Sequence, residues 1–177
     1  QNSKMWMCTI EKLLLKKRRN NMHISDAGVE LIKHFEGCPT DDEGNCVAYL
    51  DAVNVPTIGF GHTKGVKMGD VWSQDKANIM LEEELVEYED HVKNLVKAPL
   101  KECQFSVLVS FCYNLGPTNL GSSTLLKKLN AFDYDDVPEQ ILRWDKAGGK
   151  RLEGLAKRRQ AEARMYEGLD WKIDGIV

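Results

Sequence analysis

The chain has 177 residues, of which 42% are hydrophobic and 29% are charged, and its formal net charge is −3. This length predicts about one domain with a sizeable core. The composition is that of a soluble globular protein, and it excludes a disordered chain and an integral membrane protein.

Charge is unevenly distributed along the chain. Residues 1–22 carry six Lys or Arg against one Glu, residues 30–102 carry seven against fifteen Asp or Glu, and residues 143–172 carry nine against five. A basic C-terminal part that faces an acidic middle could steer a polyanion, whereas charges on solvated helix faces would have no such role. Both interpretations stay open at the level of sequence.

The five cysteines stand at positions 8, 38, 46, 103 and 112, without a C-x-x-C pair. This spacing does not indicate a zinc or redox motif. The odd number leaves at least one free thiol, which favours a reducing compartment. Cys38 and Cys46 flank a short polar loop, and the sequence leaves open whether they form a disulfide across it.

The first 23 residues form a basic extension that contains the segment KLLLKKRR. It is either a short amphipathic helix that touches an anionic surface or an extension without function. No apolar run approaches the ~18 residues that span a membrane, and no signal-peptide core is visible. We therefore expect no stable membrane insertion. The chain begins with Gln, which leaves room for a removed upstream export signal.

The pattern becomes readable from Ser25, which is suited to cap a helix. Apolar side chains then recur at helical spacing, and Gly37 ends this helix just after Glu36. Residues 47–62 are rich in β-branched and aromatic residues broken by Asn, Pro and Gly, which predicts short strands with turns.

After residue 73 the pattern is helical. Apolar residues at three- and four-residue steps predict a long amphipathic helix over 73–97 with an acidic outer face. A very apolar helix, CQFSVLVSFCYNLG, and three further helical segments, TLLKKLNAF, EQILRW and LAKRRQAEARMY, follow it, and we expect Trp144 to lie in the core. One small β hairpin followed by about five helices makes an α+β protein that is mostly helical.

Glu36 and Asp51 offer two carboxyl groups in different surroundings. Glu36 follows an apolar helix face, whereas Asp51 lies among strand residues beside a polar loop. Cleavage of a glycosidic bond needs one group that protonates the leaving oxygen and a second that stabilises the cationic centre or activates water. Thr57 adds a hydroxyl that could hold a water molecule. On these residues alone, a structural role for both carboxylates stays open.

Other chemistries have less support in the sequence. No G-x-S-x-G elbow, P-loop or dinucleotide fingerprint is present. The run DDEGN at 41–45 alternates as in a calcium loop, but its glycine is misplaced and no Glu stands at the twelfth position. We expect neither a metal site nor an organic cofactor. His62 is predicted to hydrogen bond to a carboxylate, for which Asp70 is a candidate.

The order of these segments resembles that of the phage-type muramidases, the lysozymes of glycoside hydrolase family 24. The matching residues cover about 24–168. In chain order they are Glu36-Gly37, Ala48-Tyr49-Leu50-Asp51, Thr57-Ile58-Gly59-Phe60-Gly61-His62, Phe111-Cys112-Tyr113-Asn114-Leu115-Gly116, 123–130, Arg143-Trp144, 147–150 and 154–162.

The resemblance implies a two-lobed lysozyme-like fold, in which a β-hairpin lobe and a helical lobe are joined by the long helix and the glycan lies between them. It implies hydrolysis of the β-1,4 bond between N-acetylmuramic acid and N-acetylglucosamine in peptidoglycan, without metal or organic cofactor. Carried over by position, Glu36 is the general acid, Asp51 the second carboxylate and Thr57 the third catalytic residue. Substrate-contacting positions fall at Thr63, Tyr113, Asn114 and Thr124.

The chain departs from the family pattern in one spacing. Glu36 and Asp51 are separated by fourteen residues, about six more than is usual, and the insertion CPTDDEGNC at 38–46 accounts for the difference. A loop that folds over the cleft would narrow substrate choice, whereas one that projects outward would be neutral. Arg158 and Glu162, one helical turn apart, look like a structural ion pair.

We therefore expect an endolysin, a monomeric bacteriolytic enzyme that lyses the host wall at the end of phage infection and binds no nucleic acid. It would wait in the host cytoplasm until a holin-type release. Its domains would be the extension 1–23, the catalytic domain 24–170 and a C-terminal tail 171–177. The alternatives are a non-catalytic glycan-binding protein and a tail-associated or host-encoded secreted lysozyme. We expect the inverting stereochemistry, because Thr57 is suited to hold a water beside Asp51.

Overall fold

The computed structural model describes residues 21–177. The predicted features of residues 1–20, including the KLLLKKRR segment and Cys8, lie outside this part of the chain. The described elements are helix α1 (Asp26–Glu36), strands β1 (Cys46–Val47), β2 (Tyr49–Leu50), β3 (Pro56–Thr57) and β4 (Val71–Trp72), helices α2 (Gln74–Leu95), α3 (Glu102–Leu115), α4 (Pro117–Ser122), α5 (Thr124–Asn130) and α6 (Val137–Leu142), strands β5 (Lys146–Ala147) and β6 (Lys150–Arg151), and helix α7 (Glu153–Tyr166).

The predicted fold class, α+β and mostly helical, is confirmed. Helix α1 begins at the predicted cap, where Ser25 Oγ accepts a hydrogen bond from the Gly28 N–H. It ends at Gly37, whose φ of 68° lies in the region that favours glycine. Leu31 and Ile32 are fully buried on its inner face. This face fixes the rotation of α1 and leaves Glu36 as its last residue.

The β lobe consists of short antiparallel pairs. Strand β1 pairs with β4, and β2 pairs with β3, so that Tyr49 lies opposite Thr57. The inserted loop 38–46 is closed by a disulfide between Cys38 and Cys46. Its tip is held against the start of α2, where Gln74 Nε2 donates to the Gly44 carbonyl at 3.0 Å. The loop is thus a closed excursion between α1 and β1.

Within this loop, Asp41 organises the backbone. Its Oδ1 accepts hydrogen bonds from the N–H groups of Glu43 and Asn45, at 3.0 and 2.8 Å. These bonds, with that from Asn45 the largest cause, lower the pKa of Asp41.

Replacing both bridging cysteines, Cys38→Ser with Cys46→Val, is expected to lower the free energy of unfolding by about 2.5 kcal/mol, the entropy of closing an eight-residue loop. Valine at position 46 keeps this fully buried site apolar. Urea unfolding of the two proteins measures the difference. Equal midpoints would show that the loop is held by its other contacts alone.

The core lies around α3, whose Phe105, Leu108 and Phe111 are fully buried. Helix α2 ends at Leu95, two residues earlier than predicted, because Val96 already has an extended backbone. Trp144 is only partly buried and packs edge-on against Phe111, with ring centroids 5.4 Å apart. The core was predicted to include it, and it lies instead at the core's boundary.

Two features of the C-terminal part were not expected from the sequence. A hairpin, β5–β6, connects α6 to α7. Residues 171–177, predicted as a tail, contribute the buried side chains of Trp171 and Ile176 to the core. No helix within residues 21–177 is long and apolar enough to cross a membrane.

Candidate active site

Glu36 opens onto a polar cleft of about 250 Å³ between the β lobe and the helices. The residues that line it come from α1, the turn after β3, α2 and the end of α3. They are Glu36, Gly61, Thr63, Lys64, Glu84, Glu87, Tyr88, Tyr113 and Asn114. Four predicted site residues, Glu36, Thr63, Tyr113 and Asn114, are therefore brought together. The other three, Asp51, Thr57 and Thr124, do not line this cleft.

The carboxylate of Glu36 is held by a buried arginine. Arg158 Nη1 lies 2.6 Å from Glu36 Oε1, and the two side chains are 3% and 21% exposed. The expected ion pair between Arg158 and Glu162 is present at 3.4 Å, and it is the longer of these two contacts between Arg158 and a carboxylate. A short charge-assisted bond fixes the Glu36 carboxylate, and it engages Oε1 only.

Arg158 belongs to a buried ionic cluster on α7. Glu162, which is fully buried, accepts from Arg159 Nη2 at 3.1 Å and from Ser110 Oγ at 2.8 Å. Arg159 Nε and Glu162 Oε2 are 2.9 Å apart but not aligned for a hydrogen bond. Burial lowers the pKa of Arg159, which the charge of Glu162 partly opposes. The cluster connects α7 to α3 and, through Arg158, to α1.

The same cluster orients Asn114. Arg159 Nη2 donates to Asn114 Oδ1 at 2.9 Å. Because a guanidinium only donates hydrogen bonds, the amide oxygen must face Arg159. The NH₂ group of Asn114 is then left as a donor for a ligand in the cleft that its side chain lines.

Asp51 and Thr57 lie on the β2–β3 hairpin, outside the residues that line the cleft. Asp51 Oδ1 accepts from the N–H groups of Val53 and Val55 at 2.9 and 2.8 Å. Its other oxygen, Oδ2, has no hydrogen-bond partner within the described part of the chain. Thr57 is 3% exposed, and its hydroxyl donates to the Val55 carbonyl at 3.0 Å. Its proton is engaged, so this hydroxyl can only accept a further bond.

Tyr49 connects the hairpin to the cleft electrostatically. Burial raises the pKa of Tyr49, and the negative charges of Glu36 and Asp51 raise it further. Both carboxylates therefore act electrostatically on the same phenol.

His62 hydrogen bonds to a carboxylate, but not to the proposed Asp70. Its Nδ1 lies 2.5 Å from Glu84 Oε1 on α2. Asp70 instead accepts from the Lys67 N–H within its own turn, at 2.8 Å. Glu84 also contacts the hydroxyl of Tyr113 at 3.4 Å. The missed partner is a residue of the acidic α2 face that sequence patterning assigned to solvent.

Tyr113 fixes a part of the cleft wall. Its hydroxyl donates to the Phe60 carbonyl at 2.6 Å. Burial, and then the charges of Glu84 and Glu36, raise the pKa of Tyr113 well above its ordinary value. The phenol thus stays neutral and ties the Gly59–Gly61 turn to α3.

Gly61→Ala is expected to lower activity at least tenfold. Gly61 has a φ of 103°, and an added Cβ would lie 3.4 Å from Tyr113 Oη and 3.7 Å from Glu36 Oε2, within the space a substrate needs. Backbone strain alone costs about 1–3 kcal/mol of stability. The control is Gly65→Ala, which has a φ of 74° and open space around it. Equal activity losses in the two variants would show that strain, not obstruction of the cleft, is responsible.

Thr124, the remaining predicted substrate contact, begins α5 and is exposed. It does not line the cleft, and its role stays a prediction. No loop residue from 38–46 lines the cleft either. Within residues 21–177 no group of three or more His, Cys, Asp or Glu side chains is arranged to hold a metal ion.

Comparison with known proteins places this chain in a family. The profile of the Phage lysozyme family matches residues 33–162. An endolysin of Acyrthosiphon pisum secondary endosymbiont phage 1 is 39% identical over 150 residues, which cover 82% of this chain and 99% of that protein. The endolysin of Salmonella phage P22 is 33% identical over 150 residues, 82% of this chain and 98% of the relative.

Solved structures agree with this assignment. The muramidase domain of SpmX from Asticaccaulis excentricus superposes with a TM-score of 0.74 at 32% identity, covering 82% of this chain and 98% of that domain. The two-lobed lysozyme-like fold expected from the sequence is thereby confirmed.

Proposed function

The chain belongs to the phage lysozyme family, and we propose that it is a peptidoglycan hydrolase that cleaves the β-1,4 bond between N-acetylmuramic acid and N-acetylglucosamine. The observation that carries the proposal is the setting of Glu36. Its carboxyl group lines the cleft, one oxygen is fixed by Arg158, and the other is turned toward Gly61. A general acid needs this combination of fixed orientation and one oxygen that is free to hold a proton.

In the proposed reaction, Glu36 Oε2 donates a proton to the glycosidic oxygen as the bond breaks. Because Arg158 donates to Oε1, the proton belongs on Oε2, the oxygen nearer Gly61. After bond cleavage, the Glu36 carboxylate is left beside the Arg158 guanidinium, which stabilises the charge that forms.

Asp51 is proposed as the second carboxylate. Two backbone N–H groups hold its Oδ1, which leaves Oδ2 to accept a proton from an attacking water. Thr57 lies in the neighbouring strand and can accept a hydrogen bond from such a water, since its own proton is engaged by Val55. This arrangement supports the inverting outcome, in which water attacks the face opposite the leaving group.

Substrate recognition is proposed to use the donors at the cleft wall. The NH₂ group of Asn114, oriented by Arg159, suits the carbonyl oxygen of an acetamido group. Thr63 lines the same cleft and is proposed to contact a sugar hydroxyl. Tyr113 already donates to Phe60, so we propose it as an acceptor or an apolar contact.

The biological setting is part of the proposal. Relatives named SAR-endolysins, from Bacteriophage PS119 and Enterobacteria phage PA-2, are 35% and 34% identical, which supports host-wall lysis in a phage infection. Release through a holin-type route remains a proposal. We also retain 24–170 as the catalytic domain, with Trp171 and Ile176 packed onto its core. A glycan-binding protein without activity is the alternative, and the fixed Glu36 argues against it.

The products of digestion test the proposed bond. Purified peptidoglycan digested by the protein and reduced with borohydride is expected to give fragments that end in reduced muramic acid, identified by mass spectrometry. Proton NMR during digestion should first show the α-anomer of the newly formed reducing end. Fragments that end in reduced glucosamine would contradict the assigned bond, and an initial β-anomer would contradict inversion.

A further inference from the structure

A second cavity lies away from the cleft. It has a volume of about 630 Å³ and is formed where the start of α3 meets the segment before α6 and the end of α7. None of its lining residues also lines the cleft. Along α3, Gln104 in the cavity and Tyr113 in the cleft are nine residues apart, roughly 14 Å at 1.5 Å per residue. The two sites are therefore separate, on one rigid helix.

Tyr166, one of the residues that line this cavity, carries a buried hydroxyl without a hydrogen-bond partner in residues 21–177. Tyr166 is 3% exposed, and its Oη has no hydrogen-bond partner within residues 21–177. A buried polar group that lacks a partner is destabilising and rare in folded proteins. Burial is the largest cause that raises the pKa of Tyr166, so that the phenol keeps its proton. Within residues 21–177 neither the donor nor the acceptor capacity of this hydroxyl is used.

A second polar group in the wall is also available. Gln104 is buried, and its Oε1 accepts from the Lys101 N–H at 2.9 Å. Its NH₂ group is bonded to no group in the described part of the chain, so it can donate to a ligand. Tyr134 stiffens the opposite wall, because its hydroxyl donates to the Pro99 carbonyl at 2.8 Å.

The remaining lining defines the ligand by its chemistry. Pro99, Leu100 and Pro138 supply apolar surface beside the two tyrosine rings. The charged residues at the rim are one cation, Lys101, and two carboxylates, Asp135 and Glu167, so an anionic ligand is disfavoured. A cavity of this size, with apolar walls and a few hydrogen-bonding groups, is typical of a site for a small organic ligand. A neutral sugar ring offers the matching surfaces, an apolar face and hydroxyl or acetamido edges.

We propose that this cavity is a second saccharide-binding site, which binds an N-acetylated amino sugar of a glycan strand without cleaving it. It goes beyond the hydrolysis proposed above, because it shares no lining residue with the cleft. Two contacts with the same polymer raise the local concentration of the cleft at its substrate. Tyr166 and Gln104 provide the hydrogen bonds, and the proline and tyrosine surfaces contact the sugar ring.

Binding of tetra-N-acetylchitotetraose to the full chain carrying Glu36→Gln tests the proposal, followed by amide chemical shifts in NMR. We expect two separately saturating sets of shifts, one around the cleft and one around residues 99–104 and 134–138. Tyr166→Phe should weaken the second set roughly five- to tenfold, the effect of one hydrogen bond, and leave the first unchanged. Cellotetraose, which lacks the acetamido groups, should bind the cavity more weakly.

Controls separate this outcome from the others. Because the Tyr166 hydroxyl has no partner in residues 21–177, Tyr166→Phe should leave the urea midpoint equal or higher. Tyr166→Phe should also retain full activity on short soluble glycans while binding to sacculi falls several-fold. Shifts confined to the cleft, or a cavity affinity that does not change in Tyr166→Phe, would overturn the proposal. Saturation by a stem peptide such as Ala-γGlu-Lys in place of the saccharide would also overturn it.

Discussion

Replacing Glu36 by Gln is expected to reduce peptidoglycan hydrolysis about a thousandfold. Glutamine keeps the shape of the side chain and an oxygen for Arg158 Nη1, which in the wild type lies 2.6 Å from Glu36 Oε1. Its amide N–H is not acidic enough to protonate the leaving oxygen. General acid catalysis typically contributes about 10²–10⁴-fold. Release of new reducing ends from purified sacculi measures the loss, and circular dichroism verifies that the variant is folded.

The matched control for Glu36→Gln is Glu87→Gln. Glu87 lines the same cleft, but its side chain is 79% exposed. Its Oε1 lies 3.6 Å from His91 Nε2. The Glu87→Gln variant should hydrolyse peptidoglycan at most a few-fold more slowly than the wild type, because the cleft then carries one negative charge less. A Glu36→Gln variant that keeps more than a tenth of the wild-type rate would remove Glu36 from the role of proton donor.

Replacing Glu162 by Ala is expected to lower the free energy of unfolding by about 3–5 kcal/mol. Arg158 and Arg159 are 3% and 0% exposed, and Glu162 is the carboxylate common to both. Its removal leaves two adjacent buried guanidinium groups whose remaining hydrogen-bond partners in residues 21–177 are Glu36, Asn114 and Ser110. Urea unfolding at neutral pH measures the change.

A surface pair of the same spacing provides the control for Glu162→Ala. Glu139 and Arg143, also four residues apart in sequence, are 2.7 Å from each other but 65% and 62% exposed. Glu139→Ala should change the free energy of unfolding by less than about 1 kcal/mol. Similar losses in both variants would mean that burial adds nothing to the ionic cluster.

The sequence was sufficient where a local rule decides the structure. Ser25 and Gly37 set the ends of α1 because capping depends on the first and last turns alone. The ordered motifs then identified the family and, with it, the two-lobed fold. Glu36, Thr63, Tyr113 and Asn114 line one cleft, although they are spread over nearly eighty residues of sequence.

Contacts between distant elements were harder to predict. Arg158 is 122 residues from Glu36, and the nearer Glu162 offered a satisfactory partner by spacing alone. Glu84 was read as part of a solvated acidic face, because α2 periodicity does not show that His62 packs against that face. One signal was present in α7. Arg158 and Glu162 are one helical turn apart and stand among alanines. A helix face of this composition would be buried, and both charged side chains would then require further partners.

The leaving group offers the most direct test of the claim that Glu36 is the acid and Asp51 the second carboxylate. A β-fluoride of an N-acetylated oligosaccharide needs no proton donor, because fluoride departs unassisted. Glu36→Gln should hydrolyse this substrate within about tenfold of the wild-type rate while losing about a thousandfold on peptidoglycan. The Asp51→Asn variant should hydrolyse both substrates more slowly than the wild type. A Glu36→Gln variant that is equally impaired on the fluoride and on peptidoglycan would contradict the account.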